Sequence, residues 1–223
     1  QQDYAIAGPN SNLTNKMWRR LIPQIRSIYD GKIGITCWGG GSPNSIYTTI
    51  NAIDFSGLLD FIIMQFVPQI TYELDPNVEV LELGFQKWFQ NFNSILNDIK
   101  TELHIFTAFT SAEGQNGYVW FEPGTDQPNI KLDLKEQSDY YEAFLNSITK
   151  VTSIKGIWCW GYEWENYFST TGIRLGPSIR SKPGSLVMKN WYGNLQESYE
   201  KVIQDWNTNN FVIYGKISNT FRN

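Results

Sequence analysis

Residues 79–109, EVLELGFQKWFQNFNSILNDIKTELHIFTAF, place a long amphipathic run directly before a short apolar one. In the first run, apolar side chains recur every three or four residues from Leu81 to Ile95, which predicts a helix over residues 79–100. The second run, residues 103–109, is short and rich in β-branched and aromatic side chains, which predicts a buried strand. A helix that leads into a buried strand is the repeating unit of α/β folds.

The same alternation of helix and strand extends along the chain in both directions. Residues 45–53 fit either element, and residues 211–217 form a final strand or an ordered tail. Near-continuous apolar strands that alternate with helices indicate a parallel sheet covered by helices. The other predicted helices are 16–29, 136–151 and 184–206, and the other predicted strands are 4–8, 32–38, 58–67 and 154–162.

Long irregular stretches follow the predicted strands, whereas the returns from helix to strand are short. Loops that are long only at the carboxyl ends of strands are typical of the active face of a β/α barrel. Five strands precede the last helix, but a closed barrel of this type has eight strands in roughly 250 residues. The long stretches are 39–45, 68–78, 110–130 and 163–183.

We therefore predict an α/β fold of the (β/α)8 TIM-barrel type, of which this chain supplies about strands 4–8. Residues 1–223 form a single partial domain in this prediction, with a C-terminal helix and tail over residues 193–223. An open piece of a barrel leaves strand edges unpaired. We expect another chain or a missing N-terminal segment to complete the barrel.

Composition narrows the class of function. The chain has 22 acidic and 18 basic residues, a net charge of −4, which argues against nucleic acid as a partner. We expect no membrane span, because no apolar stretch reaches the ~20 residues that one needs. We expect neither a metal nor another cofactor, because the chain has one histidine and no paired Cys or His spacing. Cys37 and Cys159 lie in apolar runs, which favours two buried free thiols.

Few charged residues and many Asn residues fit a secreted, extracellular protein, which is our expectation for its location. Aromatic residues make up 15% of the chain. They fit a large core, and they equally fit stacking platforms for sugar rings, whose C–H faces pack on aromatic faces.

Several stretches together resemble the endo-β-mannanases of glycoside hydrolase family 113, in clan A. The similarity covers most of residues 1–192, and the order and spacing of the stretches carry it. The stretches are WRRLIPQIRSIYDGKIGITCW (18–38), LLDFIIMQFVP (58–68), LHIFTAFTS (103–111), EQSDYYEAFLNSI (136–148), IKGIWCWGYEWEN (154–166) and SIRSKPGSLVMKNWY (178–192).

The resemblance implies a retaining mechanism with two glutamates, an acid/base after the fourth barrel strand and a nucleophile at the end of the seventh. These positions align near Asn10 and with Ala108. An amide cannot act as the acid and a methyl group offers no nucleophile, so the resemblance implies that both catalytic carboxylates are absent. Three explanations stay open: a non-catalytic descendant, a displaced acid at Glu113, Glu163 or Glu165, or an engineered or fragmentary chain.

Candidate binding residues cluster where two strands end. Trp38 closes the strand 32–38, and family members also carry a Trp there. Towards the end of the last strand and just beyond it, aromatic residues either line a sugar site or pack in the core. Glu163 and Glu165, which follow directly, are solvated, ion-paired with Arg174 or Arg180, or bonded to sugar hydroxyls. The candidate substrate-binding residues are Trp38, Trp160, Tyr162, Trp164 and Glu165.

Two further aromatic residues are predicted to be structural. We expect Trp158 to pack against helices outside the barrel, and His104, near the start of its strand, to be structural rather than catalytic.

Three hypotheses for the function follow. The first is a secreted, catalytically degenerate glycoside-hydrolase-like protein that binds a β-linked polysaccharide or oligosaccharide. The second is an active retaining endo-β-glycanase, mannanase-like, that uses a displaced glutamate. The third is a structural or assembly protein built on a glycosidase-like barrel.

Overall fold

The computed structural model describes residues 11–40, 43–68, 70–73, 75–96, 99, 101–114, 129–159, 175–180 and 182–193. The chain divides into two compact units, residues 1–187 and residues 188–223. The second unit is described only over residues 188–193, which are helical, and residues 183–187 of the first unit are also helical. The helices of the first unit are α1 (Ser11–Arg26), α2 (Pro43–Ala52), α3 (Val78–Leu96) and α4 (Leu134–Ile148), with a 3-10 turn at Ser56–Leu58. The strands are β1 (Gly34–Gly40), β2 (Phe61–Phe66), β3 (Glu102–Thr107) and β4 (Ile154–Cys159).

The four strands form one parallel sheet in which each strand pairs with the next one along the chain, in the order β1-β2-β3-β4. Connections between parallel strands are right-handed. A strand order that advances without reversal therefore places the connecting helices on one face of the sheet, as in a β/α barrel and unlike a doubly wound sheet. This topology confirms the predicted α/β fold of the barrel type.

The hydrophobic core lies between the sheet and α2, α3 and α4. From the sheet, Ile62, Met64 and Ile105 are fully buried on this side. Aromatic rings of α3 and α4 close around Phe109, which follows β3: the ring centroid of Phe109 lies 5.9 Å from that of Phe85. Ring centroids at such distances, in tilted or edge-to-face pairs, pack favourably. The other partners of Phe109 are Tyr140, Tyr141 and Phe144.

Side-chain caps explain where α3 and α4 begin. The Asn77 side chain accepts a hydrogen bond from the N–H of Val80 (2.9 Å) at the start of α3. The Asp133 side chain accepts one from the N–H of Glu136 (2.8 Å) at the start of α4. Each cap satisfies a backbone N–H that has no partner within its helix.

The sequence predicted these elements to within a few residues, and the largest difference is at the start of α1. α1 begins at Ser11 rather than at residue 16. Pro23 then lies in its last turns, and the helix still continues to Arg26. Residues 45–53, which were ambiguous, belong largely to α2. The predicted strands 4–8 and 211–217, and the tail beyond residue 193, lie outside the described residues. Within the described ranges, none of the helices has the length and apolar character needed to cross a bilayer.

Candidate functional site at the strand ends

One face of the sheet lies opposite the described helices, and we call it the open face. Because side chains alternate along a strand, this face carries Thr36 and Trp38 of β1, while Cys37 between them is fully buried on the helix side. The large side chains here stay accessible: Trp38 is 44% exposed and Trp158 is 46% exposed. The expected packing of Trp158 against helices is therefore wrong. Its neighbour Cys159 takes the helix side, where burial raises the pKa of its thiol to about 12.

Four residues of the open face stand side by side near the carboxyl ends of the strands. The strand register pairs Trp38 with Gln65, Gln65 with Phe106, and Phe106 with Trp158. We call these four residues the strand-end row. Since neighbouring strands lie about 4.8 Å apart, the backbone positions of the row span roughly 14 Å.

Trp158 of the strand-end row is also the end of a stack of three rings on the open face. The Phe61 and His104 rings are stacked with centroids 4.9 Å apart, and the His104 and Trp158 rings with centroids 6.2 Å apart. Gly156, the register partner of His104, leaves room for the imidazole, because a Cβ at this position would lie 2.6 Å from its Nδ1 atom. The stack thus depends on a strand position without a side chain.

Hydrogen bonds fix the orientation of this stack. The Trp158 Nε1–H donates to His104 Nδ1 (3.0 Å), and His104 Nε2 lies 2.9 Å from the Glu102 carboxylate. Lys32 approaches the other oxygen of Glu102 at 3.3 Å. The hydrogen bond with His104 is the largest cause that lowers the pKa of Glu102, burial opposes it, and Lys32 adds to the lowering. His104 and Lys32 together outweigh the opposing effect of burial, so Glu102 is favoured in its ionised form.

Ala108, the position of the nucleophile in the family resemblance, comes directly after β3. Continuing the alternation of the strand, Ala108 follows His104 and Phe106 on the open-face side, and it is 4% exposed. Its methyl group has no proton to give and no lone pair to share. The position directly after β3 therefore carries a buried and chemically inert side chain.

Glu113, the described alternative acid, lies beyond Ala108 in the same loop. Its carboxylate pairs with Lys131 at 3.3 Å, its side chain is 51% exposed, and its N–H donates to the backbone carbonyl of Lys131 (2.9 Å). The flanking bridge between Ala112 and Leu132 holds this part of the loop against the segment before α4.

A buried polar cluster holds the loop that follows Ala108. The Lys182 ammonium donates to Ser111 Oγ (2.8 Å) and to the carbonyl of Gly176 (2.9 Å). Gln137 of α4 donates to the carbonyl of Phe109 (2.7 Å). Sequence reasoning missed this cluster, because its members are far apart along the chain and no short motif joins them.

The structure tests only part of the predicted site. Trp38 lies on the open face near the end of β1. His104 and Trp158, which were predicted to be structural, prove to be hydrogen-bonded to each other on that same face. No three His, Cys, Asp or Glu side chains come together as a metal site within the described parts of the chain. Outside the described residues lie Asn10, Trp160, Tyr162, Glu163, Trp164 and Glu165.

The fold is similar to that of solved β-mannanases. A GH113 β-1,4-mannanase superposes with a TM-score of 0.54 at 16% identity, over 80% of this chain and 50% of that chain. A second GH113 β-1,4-mannanase structure gives 0.56 and 14%, over 81% and 51%. The GH113 β-mannanase of Alicyclobacillus acidocaldarius, in complex with ManMIm, gives 0.53 and 17%, over 82% and 52%.

These likenesses show the fold alone, a partial barrel of the GH113 type, because the identities are low. The chain spans about half the length of the β-mannanases that it matches. No family model and no curated protein matches the sequence.

Proposed function

We propose that this protein is a secreted glycosidase-like protein that binds a β-linked polysaccharide and does not hydrolyse it. The observation that carries the proposal is the buried Ala108 at the end of β3, within a fold that is similar to glycoside hydrolases. The acid position of the family resemblance falls near Asn10, which is also not a carboxylate.

The absence of hydrolysis follows from the chemistry of retaining glycosidases. One carboxyl group protonates the leaving oxygen, and a second, about 5–5.5 Å away, attacks the anomeric carbon. Replacement of the attacking carboxylate by a methyl group removes the covalent intermediate. Glu113 has Lys131 as its ion-pair partner and is half exposed, which favours a loop-stabilising role over a catalytic one.

Binding is supported by the strand-end row. Trp38 and Trp158 offer large, half-exposed rings on which the C–H faces of sugars can stack, and Phe106 lies between them in the register. The Gln65 amide, which both donates and accepts hydrogen bonds, suits sugar hydroxyls. An uncharged row of this kind fits a neutral polysaccharide better than an anionic one.

A titration of the full chain with β-1,4-mannan and β-glucan oligosaccharides tests the proposal. We expect saturable binding that Trp158→Ala weakens about fivefold, because a stacked ring contributes on the order of 1 kcal/mol beyond its buried area. Tyr29→Ala is the matched control, since Tyr29 is 51% exposed and lies between α1 and β1, at the opposite end of the sheet from the strand-end row. Absence of binding at millimolar oligosaccharide would contradict the proposal.

A displaced glutamate remains the second candidate, because the loop bridge holds Glu113 just beyond β3. If this alternative holds, the chain cleaves β-linked oligosaccharides, and Glu113→Gln or Glu163→Gln abolishes the cleavage. We expect no cleavage by the parent chain, measured as released reducing ends.

A further inference from the structure

We infer that His104 is a positioning residue that holds the Trp158 ring in the strand-end row, and that acid releases this ring and weakens glycan binding. The inference rests on the proposed function for its glycan-binding part. It joins three described observations: the hydrogen bond between the two side chains, the stack of their rings, and the place of Trp158 in the row.

The donor and acceptor chemistry assigns the tautomer of His104. An indole N–H can only donate, so the Nδ1 atom that it contacts at 3.0 Å must carry a lone pair and no proton. The proton of the neutral ring is then on Nε2, where it donates to the carboxylate of Glu102 at 2.9 Å. The contact with Trp158 therefore requires neutral His104 with the proton on Nε2.

Protonation removes the acceptor on which this contact depends. Imidazolium carries an N–H at both nitrogens, so Nδ1–H and the Trp158 Nε1–H would face each other as two donors. The indole, which is half exposed, can turn to water instead.

The described groups that face the imidazole come from three strands. Phe61 of β2 stacks on it, Glu102 of β3 accepts its Nε2 proton, and Gly156 of β4 lies against it beside Trp158. Of these, Glu102 is the ionisable one, and Lys32 acts on the ring through Glu102. The carboxylate contact survives protonation, whereas the hydrogen bond from Trp158 does not, so acid breaks the polar link between His104 and Trp158.

A consequence for ligand binding follows from the register. Trp158 pairs with Phe106, so a turn of the indole changes the outline of the strand-end row and not only the packing below it. A lost hydrogen bond of this kind corresponds to roughly a five- to tenfold change in an equilibrium constant. We expect glycan affinity to be lower by about this factor at about pH 5 than at about pH 7.5.

Nitrogen NMR of the full chain tests the assignment directly, since His104 is the single histidine in the sequence. We expect a neutral ring with its proton on Nε2 and a Trp158 indole N–H signal that moves together with the titration of His104. Trp158→Phe identifies that signal by its loss. A neutral ring with its proton on Nδ1 would overturn the inference. An indole signal that does not move as His104 is protonated would also overturn it.

Glycan titrations at the two pH values complete the test. The parent chain should lose affinity in acid, whereas His104→Gln should give nearly the same affinity at both values, because the Gln carbonyl accepts from Trp158 without titrating. Trp158→Phe should also lose the pH dependence. Equal loss in acid for the parent and His104→Gln would overturn the inference while leaving the proposed function intact. No binding at any pH, with the NMR titration as expected, would contradict the proposed function and leave the link between His104 and Trp158 established.

Discussion

The two faces of the sheet are built from similar residues but are held together differently. Phe106 and Phe109 are three positions apart on the same strand and its extension, yet Phe109 is fully buried among rings of α3 and α4, and Phe106 is half-buried on the open face. The helix side relies on packed hydrocarbon. The open face relies on a stack of rings and a chain of hydrogen bonds from Lys32 to Trp158.

This contrast separates the residues that maintain the fold from those available for binding. A ring enclosed on all sides contributes through burial and dispersion, and its loss leaves a cavity. A ring that is half exposed contributes less to folding and keeps a face for another molecule. The predictions below test this contrast, from the largest expected effect to the smallest.

Truncation of the buried ring should have the largest effect. Phe109→Ala should lower the free energy of unfolding by about 3–5 kcal/mol, because it opens a cavity between the sheet and α4. Phe106→Ala removes the same group from the open face and should cost only about 1–2 kcal/mol. Urea denaturation followed by circular dichroism measures both, and equal costs would remove the distinction between the two faces.

A methyl group at Gly156 should disturb the ring stack. The added Cβ would lie 2.6 Å from the imidazole of His104, so the ring must shift, at a cost of about 1–3 kcal/mol. Gly57→Ala is the matched control, since a Cβ there meets no atom within 4 Å. Thermal unfolding of the two variants compares them, and an undisturbed Gly156→Ala protein would show that the stack does not form as described.

Removal of the Glu102 charge should have the smallest effect, with a defined pH dependence. The pKa of Glu102 is lowered in the fold, so its stabilisation is present above the ordinary pKa of glutamate and is lost as the pH falls through the lowered folded value. Glu102→Gln should therefore be less stable than the parent at neutral pH, by up to about 1 kcal/mol given its partial exposure.

The difference between the parent and Glu102→Gln should vanish in acid. Urea titrations from neutral pH downwards measure it, with Glu113→Gln as a control for loss of an exposed charge. A stability difference that grows as the pH falls would contradict the lowered pKa of Glu102.

The periodic parts of the fold could be predicted from the sequence. The runs that became α3, β3 and α4 carry apolar residues at the spacing of their element, so local pattern and tertiary burial agree. Residues 45–53 stayed ambiguous, because Ile46 and Ile50 share one helical face while the intervening Tyr and Thr residues also suit a strand.

The candidate site was less predictable. Trp158 alternates with Cys159, but alternation alone does not say which of two apolar sides faces the helices. Its contact with His104 joins residues 54 positions apart, and the buried contact of Lys182 with Ser111 joins residues 71 positions apart. Only the folded chain brings such partners together. The assignment of Ala108 to the nucleophile position rests on the family resemblance, which is an alignment and not a packing argument, and it stays a prediction.

Calorimetric titration of the full chain with a β-1,4-mannan oligosaccharide tests the central claim most directly, because binding and hydrolysis differ in the heat that they produce. If Ala108 is inert and the strand-end row binds sugar, the heat saturates as the sites fill. The oligosaccharide is then recovered uncut. Heat that continues until the oligosaccharide is consumed would show that the chain hydrolyses it with a pair of carboxyl groups, and would contradict the account.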